Sequence, residues 1–250
     1  MKIPLVLPAA LALLAASCGG GPEQPLSRIF EQPSWEAGEE LFYTVRDRDD
    51  VRGSCRLAVA DADEPGSIRL LTYCANPDSS WIDERTVVTE ETTLRPIASE
   101  RTVHNVEEGS NTIYTADYGV ERVTLVARSG SRRNETERDL PAASAEVPEP
   151  GYYDDASLFW LVRGAPLDAG FDRTFLDVNP GNARTVRVQL VVTGGETVTV
   201  PAGTFDAWRV ELRTGSITQI MWVEKMSPRR VVLARIEGEF HELRSIPTAP

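Results

Sequence analysis

The feature that most constrains this chain is alternation. Leu41, Tyr43 and Val45 occupy one set of alternate positions, and Phe42, Thr44 and Arg46 the other. The same period recurs in Val186, Val188, Leu190 and Val192 against Arg187, Gln189 and Val191. A repeat of two places one set of side chains on a buried face of a strand and the other on the opposite face. Further runs rich in Val, Thr, Ile and Tyr are Trp81–Glu90, Leu94–Val103, Asn111–Tyr118, Val120–Arg128, Arg173–Val178, Glu196–Val200, Thr204–Arg213, Ile217–Lys225, Arg230–Glu237 and Glu239–Arg244. Short strands separated by frequent turn residues predict an all-β chain, a curved antiparallel sheet or an open half barrel.

One segment departs from that period. After the breaker Pro148-Glu149-Pro150-Gly151, the run Tyr153–Arg163 has the apolar spacing of a helix, with Asp154 or Asp155 to cap its start and Gly164 and Pro166 to stop it. One short helix near 154–163 is therefore expected, packed on the sheet. The preceding stretch, 139–150, reads as an exposed loop.

The N-terminus carries an address. Lys2 precedes an apolar run of 14 residues, Ile3–Ala16, too short to span a bilayer and right for a signal-peptide core. It ends in Ala15-Ala16-Ser17-Cys18-Gly19, which resembles the cleavage and acylation site of bacterial lipoproteins, with Ala15 where that signal usually has Leu. The resemblance implies cleavage after residue 17 and a lipid on Cys18. It also implies an exported protein held on a membrane. In a Gram-negative cell, Gly19 after the cysteine points to the outer membrane, with the domain facing the periplasm. Residues 18–34 read as lipidated cysteine and flexible tether, 35–244 as a single β domain, and 245–250 as a tail.

Removing Cys18 from the count leaves Cys55 and Cys74, an even number in an exported chain. Both lie in strand-like runs joined by the turn residues Asp61–Gly66. Pairing Ala60 with Arg69 sets Cys55 opposite Cys74, close enough for a disulfide.

Three islands resemble an uncharacterised family of exported bacterial β-domain proteins, a domain of unknown function. They are Trp35–Tyr43, Tyr153–Arg163, and Val200–Val210, which opens Val200-Pro201-Ala202-Gly203-Thr204-Phe205-Asp206-Ala207, with Met221-Trp222-Val223 and Arg229–Ala234. The resemblance implies the same curved sheet with its helix on the concave face, and no catalytic residues. The last island has a structural rationale: Pro201 ends one strand, Gly203 permits a positive φ, and Phe205 opens the next strand toward the core.

Charge and composition exclude some chemistry. The formal charge of −12 disfavours nucleic acid as a partner. Two histidines, His104 and His241, and a paired Cys55 and Cys74 offer too little for a zinc site. Asp154-Asp155 with Glu149 and Asp168 supply calcium-type oxygens, but helix capping accounts for the first pair. No nucleophile elbow, phosphate loop or dinucleotide fingerprint is present. No metal and no cofactor is expected, and the chain reads as a non-enzyme. The expected function is that of a binding or carrier module for an apolar or polymeric envelope component, with Tyr153, Trp160, Arg163 and Trp208 lining a cleft. Two alternatives remain open: a structural assembly subunit bound to another envelope protein, and an envelope glycan hydrolase using a pair of carboxylates.

Overall fold

The computed structural model describes residues 24–31, 35, 38–215 and 217–246. The signal segment and Cys18 lie outside the described residues. The first half of the domain is built of β1 (Glu40–Asp47), β2 (Asp50–Asp61), β3 (Ser67–Ala75), β4 (Trp81–Glu90), β5 (Pro96–Asn105), β6 (Ser110–Tyr118), β7 (Arg122–Ser129) and β8 (Arg132–Asp139). The second half holds β9 (Tyr152–Asp154), α1 (Leu158–Leu161), β10 (Asp172–Asn179), β11 (Arg184–Val200), β12 (Gly203–Thr214), β13 (Ile217–Glu224), β14 (Val231–Ile236) and β15 (Glu239–Ser245). Single 3-10 turns, Asp155–Ser157 and Val162–Gly164, flank α1.

All strands belong to one 15-stranded sheet, in the order β8 down to β1, then β15 down to β9. From β1 to β8 and from β10 to β15 sequential strands pair antiparallel, and β1 pairs β15, so first and last strands meet in the middle of the sheet. Every pairing is antiparallel except β9 with β10. The two edges, β8 and β9, do not pair with each other, but the sheet curls until their neighbourhoods touch. Tyr118 stacks on Tyr152 at 6.4 Å. The Arg138 Nε–H donates to the Ala183 carbonyl at 3.0 Å. Around this seam Ala116, Val123, Leu125, Leu140, Tyr152 and Val178 form a small core of their own. The architecture is the expected open barrel.

The alternation does what a period of two requires. In β1, Leu41, Tyr43 and Val45 are buried, and in β11 Val188, Leu190 and Val192. The VPAGTFDA turn also has its expected geometry: β11 ends at Val200, Gly203 takes φ +142°, and the Phe205 ring lies 3.5 Å from where a Cβ on Gly203 would sit. The register between β2 and β3 sets Ala60 opposite Arg69 and Cys55 opposite Cys74. The two cysteines are disulfide-bonded, with Cα atoms 4.1 Å apart.

Three details differ from the sequence reading. The alternating run around Val186–Val192 and the run 196–200 form one strand of 17 residues, because an irregularity at Val192/Gly194 bends the ladder without ending it. The stretch Arg132–Asp139 is a strand although it holds no apolar residue; it pairs with β7 along its whole length. Its charges suit an edge strand, where they discourage pairing with another chain. Finally, the segment read as flexible tether is packed from Gln24 to Glu31. Leu26 bridges Thr174 and Ser27 bridges Pro150. The Phe30 ring is fully buried, edge-on to Tyr153 at 4.6 Å and to Phe175 at 5.4 Å. Ile29 and Phe30 are the reason: two adjacent apolar side chains gain more by entering the concave face than by staying in water.

Candidate functional site

The site is built from the segment that leaves β9. The Asp154 side chain accepts from the Ala156 N–H at 3.0 Å, capping the first helical turn as expected. The helix then carries Leu158, Trp160, Leu161 and Val162 into the concave face. Two groups of side chains follow from this placement, one apolar and one polar.

The apolar group contains the residues expected to line a cleft. Tyr153, Trp160 and Arg163 have relative exposures of 0%, 1% and 1%, so they fill the interior rather than border an opening. Trp160 meets Trp35 edge to face at 5.6 Å. The Arg163 guanidinium stacks over Trp160 at 5.1 Å and Trp35 at 5.7 Å. Its Nη2 donates to both Glu39 carboxylate oxygens at 2.9 and 3.1 Å and to the Pro228 carbonyl at 3.0 Å. A buried cation requires such a counter-charge, so Arg163 ties the 38–39 approach and the 227–230 turn to the helix. Among the described residues, Arg163 Nε and Nη1 and Trp160 Nε1 meet no hydrogen-bond partner. Tyr153 packs instead with Phe30 and Phe175. Trp208 is separate from these three: it lies on β12, half-buried beneath the Lys225 ammonium at 4.7 Å.

The polar group was not anticipated. On β4, Asp83 and Arg85 share the inner face, and Arg85 donates to Asp83 Oδ2 from Nε at 3.1 Å and Nη2 at 2.7 Å. From β5, Arg101 donates to the same carboxylate from Nε and Nη2, both at 2.9 Å. Burial acts to raise the Asp83 carboxyl, but the two guanidinium groups outweigh it and hold it below the usual carboxylate range. Beside this fork, the Asp154 carboxylate accepts from the Ser99 hydroxyl at 2.5 Å and the Tyr118 hydroxyl at 2.6 Å. Burial nevertheless pushes Asp154 up to about 6. Burial also raises Asp155, and it raises Asp177 further with the help of the neighbouring Asp155 and Asp154 charges. Asp177 Oδ1 meets no hydrogen-bond partner among the described residues. His241 from β15 has its Nδ1 3.9 Å from the Cys55 sulfur, and burial, then the Arg85 charge, pull its imidazole down to about 4. A signal for this group existed in the sequence: Asp83 with Arg85, and Asp177 beyond Phe175, put charges on the inward positions of otherwise apolar strands.

The cluster surrounds a cavity of about 10 Å³ bordered by Arg85, Ser99, Arg101, Asp154, Asp155 and Gly181. That is room for about one water molecule. Chemically, the arrangement favours the protonated form of its buried carboxyls and joins β4, β5, β6, β9 and the helix start. Among the described residues, no group of three or more His, Cys, Asp or Glu side chains is placed to hold a metal ion.

Over residues 65–240 the sequence matches the family described as "Protein of unknown function (DUF3108)". No curated protein matches the chain. Among solved structures, a β-barrel-like protein of the domain of unknown function DUF1849 from Brucella abortus is 10% identical, with a TM-score of 0.48 over 85% of this chain and 99% of that one. A protein with a YmcC-like fold from Bacteroides fragilis is 11% identical, with a TM-score of 0.30 over 88% of this chain and 100% of that one. These matches indicate no catalytic family.

Proposed function

We propose a function for a chain that belongs to the DUF3108 family of proteins of unknown function: a lipid-anchored envelope protein whose β domain binds another envelope macromolecule on its surface, without catalysis. The observation that carries this reading is the filled concave face. Phe30, Tyr153, Trp160 and Arg163 occupy the volume in which an apolar small molecule would have to lie. A carrier needs a pocket of several hundred Å³. The reading that draws support is therefore a protein or polymer partner held on the outside. The anchor rests on Met1–Gly19, where a short apolar run meets a cysteine.

The hydrolase alternative draws on one observation, a carboxyl at Asp154 that holds its proton up to about pH 6. Against it stands access: a space of about 10 Å³ admits no sugar ring.

The test is acyl labelling together with cross-linking in intact cells. The native chain should take up labelled fatty acid and Cys18→Ser should not. Cross-linking of the native chain should yield one stoichiometric macromolecular adduct. Acylation of Cys18→Ser, or the absence of any adduct across cross-linkers of different reach, would count against the reading.

A further inference from the structure

We infer that the groove beside Gln24 is the face this protein lays on the lipid headgroup layer. The inference rests on the acylation of Cys18 proposed above and adds to it an orientation and a contact surface.

Gln24 is a fixed point of the domain. Its side-chain oxygen accepts from the Thr174 hydroxyl at 3.0 Å, and its carbonyl accepts from the Arg187 guanidinium. The Gly151 N–H donates to the Leu26 carbonyl at 2.9 Å, and the Arg28 N–H to the Glu149 carbonyl at 2.8 Å. With the chain held from Gln24 on, six residue steps separate Cys18 from that fixed point. At ~3.3–3.6 Å per residue, those six steps reach about 20 Å at full extension. A domain of this length has a radius of gyration of about 17 Å, so it is roughly twice as wide as its leash is long. The leash therefore selects one face, and that face surrounds Gln24.

The surface there suits a lipid layer. A groove of about 290 Å³ runs between Gln24, Pro25 and Leu26 on one side and Ala142 and Val147 on the other, with Arg187 at its wall. Pro25, Leu26, Pro141, Ala142 and Val147 give its lining aliphatic surface, and the Arg187 guanidinium is already engaged by the Gln24 carbonyl. Such a lining suits the boundary between headgroups and the first methylenes of the acyl chains. The loop that forms the outer wall presents Ala142, Ala143, Ser144 and Ala145 to solvent, small side chains that permit close approach.

The experiment uses the full acylated chain in vesicles of phosphatidylethanolamine and phosphatidylglycerol that carry a headgroup-attached quencher. A fluorophore is placed on Ala142→Cys or on Val106→Cys, with the native disulfide left oxidised. Leu140 hydrogen-bonds to Glu121 beyond the far end of β6, whereas Val106 precedes its start. The two probes are thus separated by about the length of that strand, on the order of 30 Å. Quenching should be several-fold stronger at position 142 than at 106, and ten Gly and Ser residues inserted after Gly21 should abolish the difference. Equal quenching, or stronger quenching at 106, in a chain that floats with the vesicles overturns the inference and leaves the anchor standing. A chain that does not float overturns both.

Discussion

The Tyr118 hydroxyl donates to the Asp154 carboxylate at 2.6 Å across the seam of the open barrel. Tyr118 ends β6 and Asp154 ends β9, so this bond joins the two wings that the sheet leaves unpaired. Ser99 of β5 adds a second link to the same carboxylate.

Asp154 makes stability depend on pH. Its native value of about 6 lies above the ordinary 3.8, so the folded state holds the proton more tightly than the unfolded state. Stability from this group is present below about pH 4 and is lost as pH rises through 6. Asp155 and Asp177, also raised, act with the same sign. Urea titrations from pH 4 to 8 should find a smaller loss with rising pH in Asp154→Asn than in the native chain. An unchanged slope would show that the carboxyl titrates normally.

His241 acts in the opposite direction. Burial and the Arg85 charge lower its imidazole to about 4, below the ordinary 6.5. The stability it contributes is complete above about pH 6.5 and is lost as pH falls toward 4. His241→Gln should therefore lose less stability than the native chain between pH 6.5 and 4. An NMR titration of His241 with a midpoint near 6.5 would contradict this assignment.

Phe30 belongs to the core although it precedes the first strand. Phe30→Ala should cost about 3–5 kcal/mol in denaturant unfolding, as other buried aromatic truncations do. A tether residue would cost nothing measurable, so a change within about 0.5 kcal/mol would restore the flexible reading of 24–31.

The Cys55–Cys74 bridge closes a loop with a sequence separation of 19. Replacing both cysteines by Ala should lower stability by about 2–4 kcal/mol. Alkylation of the denatured native protein without reductant should modify neither Cys55 nor Cys74. Modification of both would refute the bridge.

What was legible in the sequence followed the range of the interactions. The Cys55–Cys74 pairing was readable because one hairpin fixes it: the turn at 61–66 sets the register of both strands. The Asp154 cap was readable for the same reason, since its partner Ala156 is two residues away. β8 was not readable, because RRNETERD becomes a strand through its pairing with β7 rather than through burial. The site suffered most. Trp160 and Arg163 were read as cleft residues, but the arrival of Trp35, Glu39 and Pro228 from elsewhere in the chain makes them core. The Asp154–Tyr118 bond likewise joins residues that are adjacent only once the sheet has curled.

Native mass spectrometry of the exported chain lacking Cys18 tests the central claim most directly, namely that the concave face is filled by the protein itself. A filled face gives the bare mass of the polypeptide with its disulfide. A mass increment that persists through native ionisation and disappears on denaturation would place a retained ligand inside the barrel and contradict it.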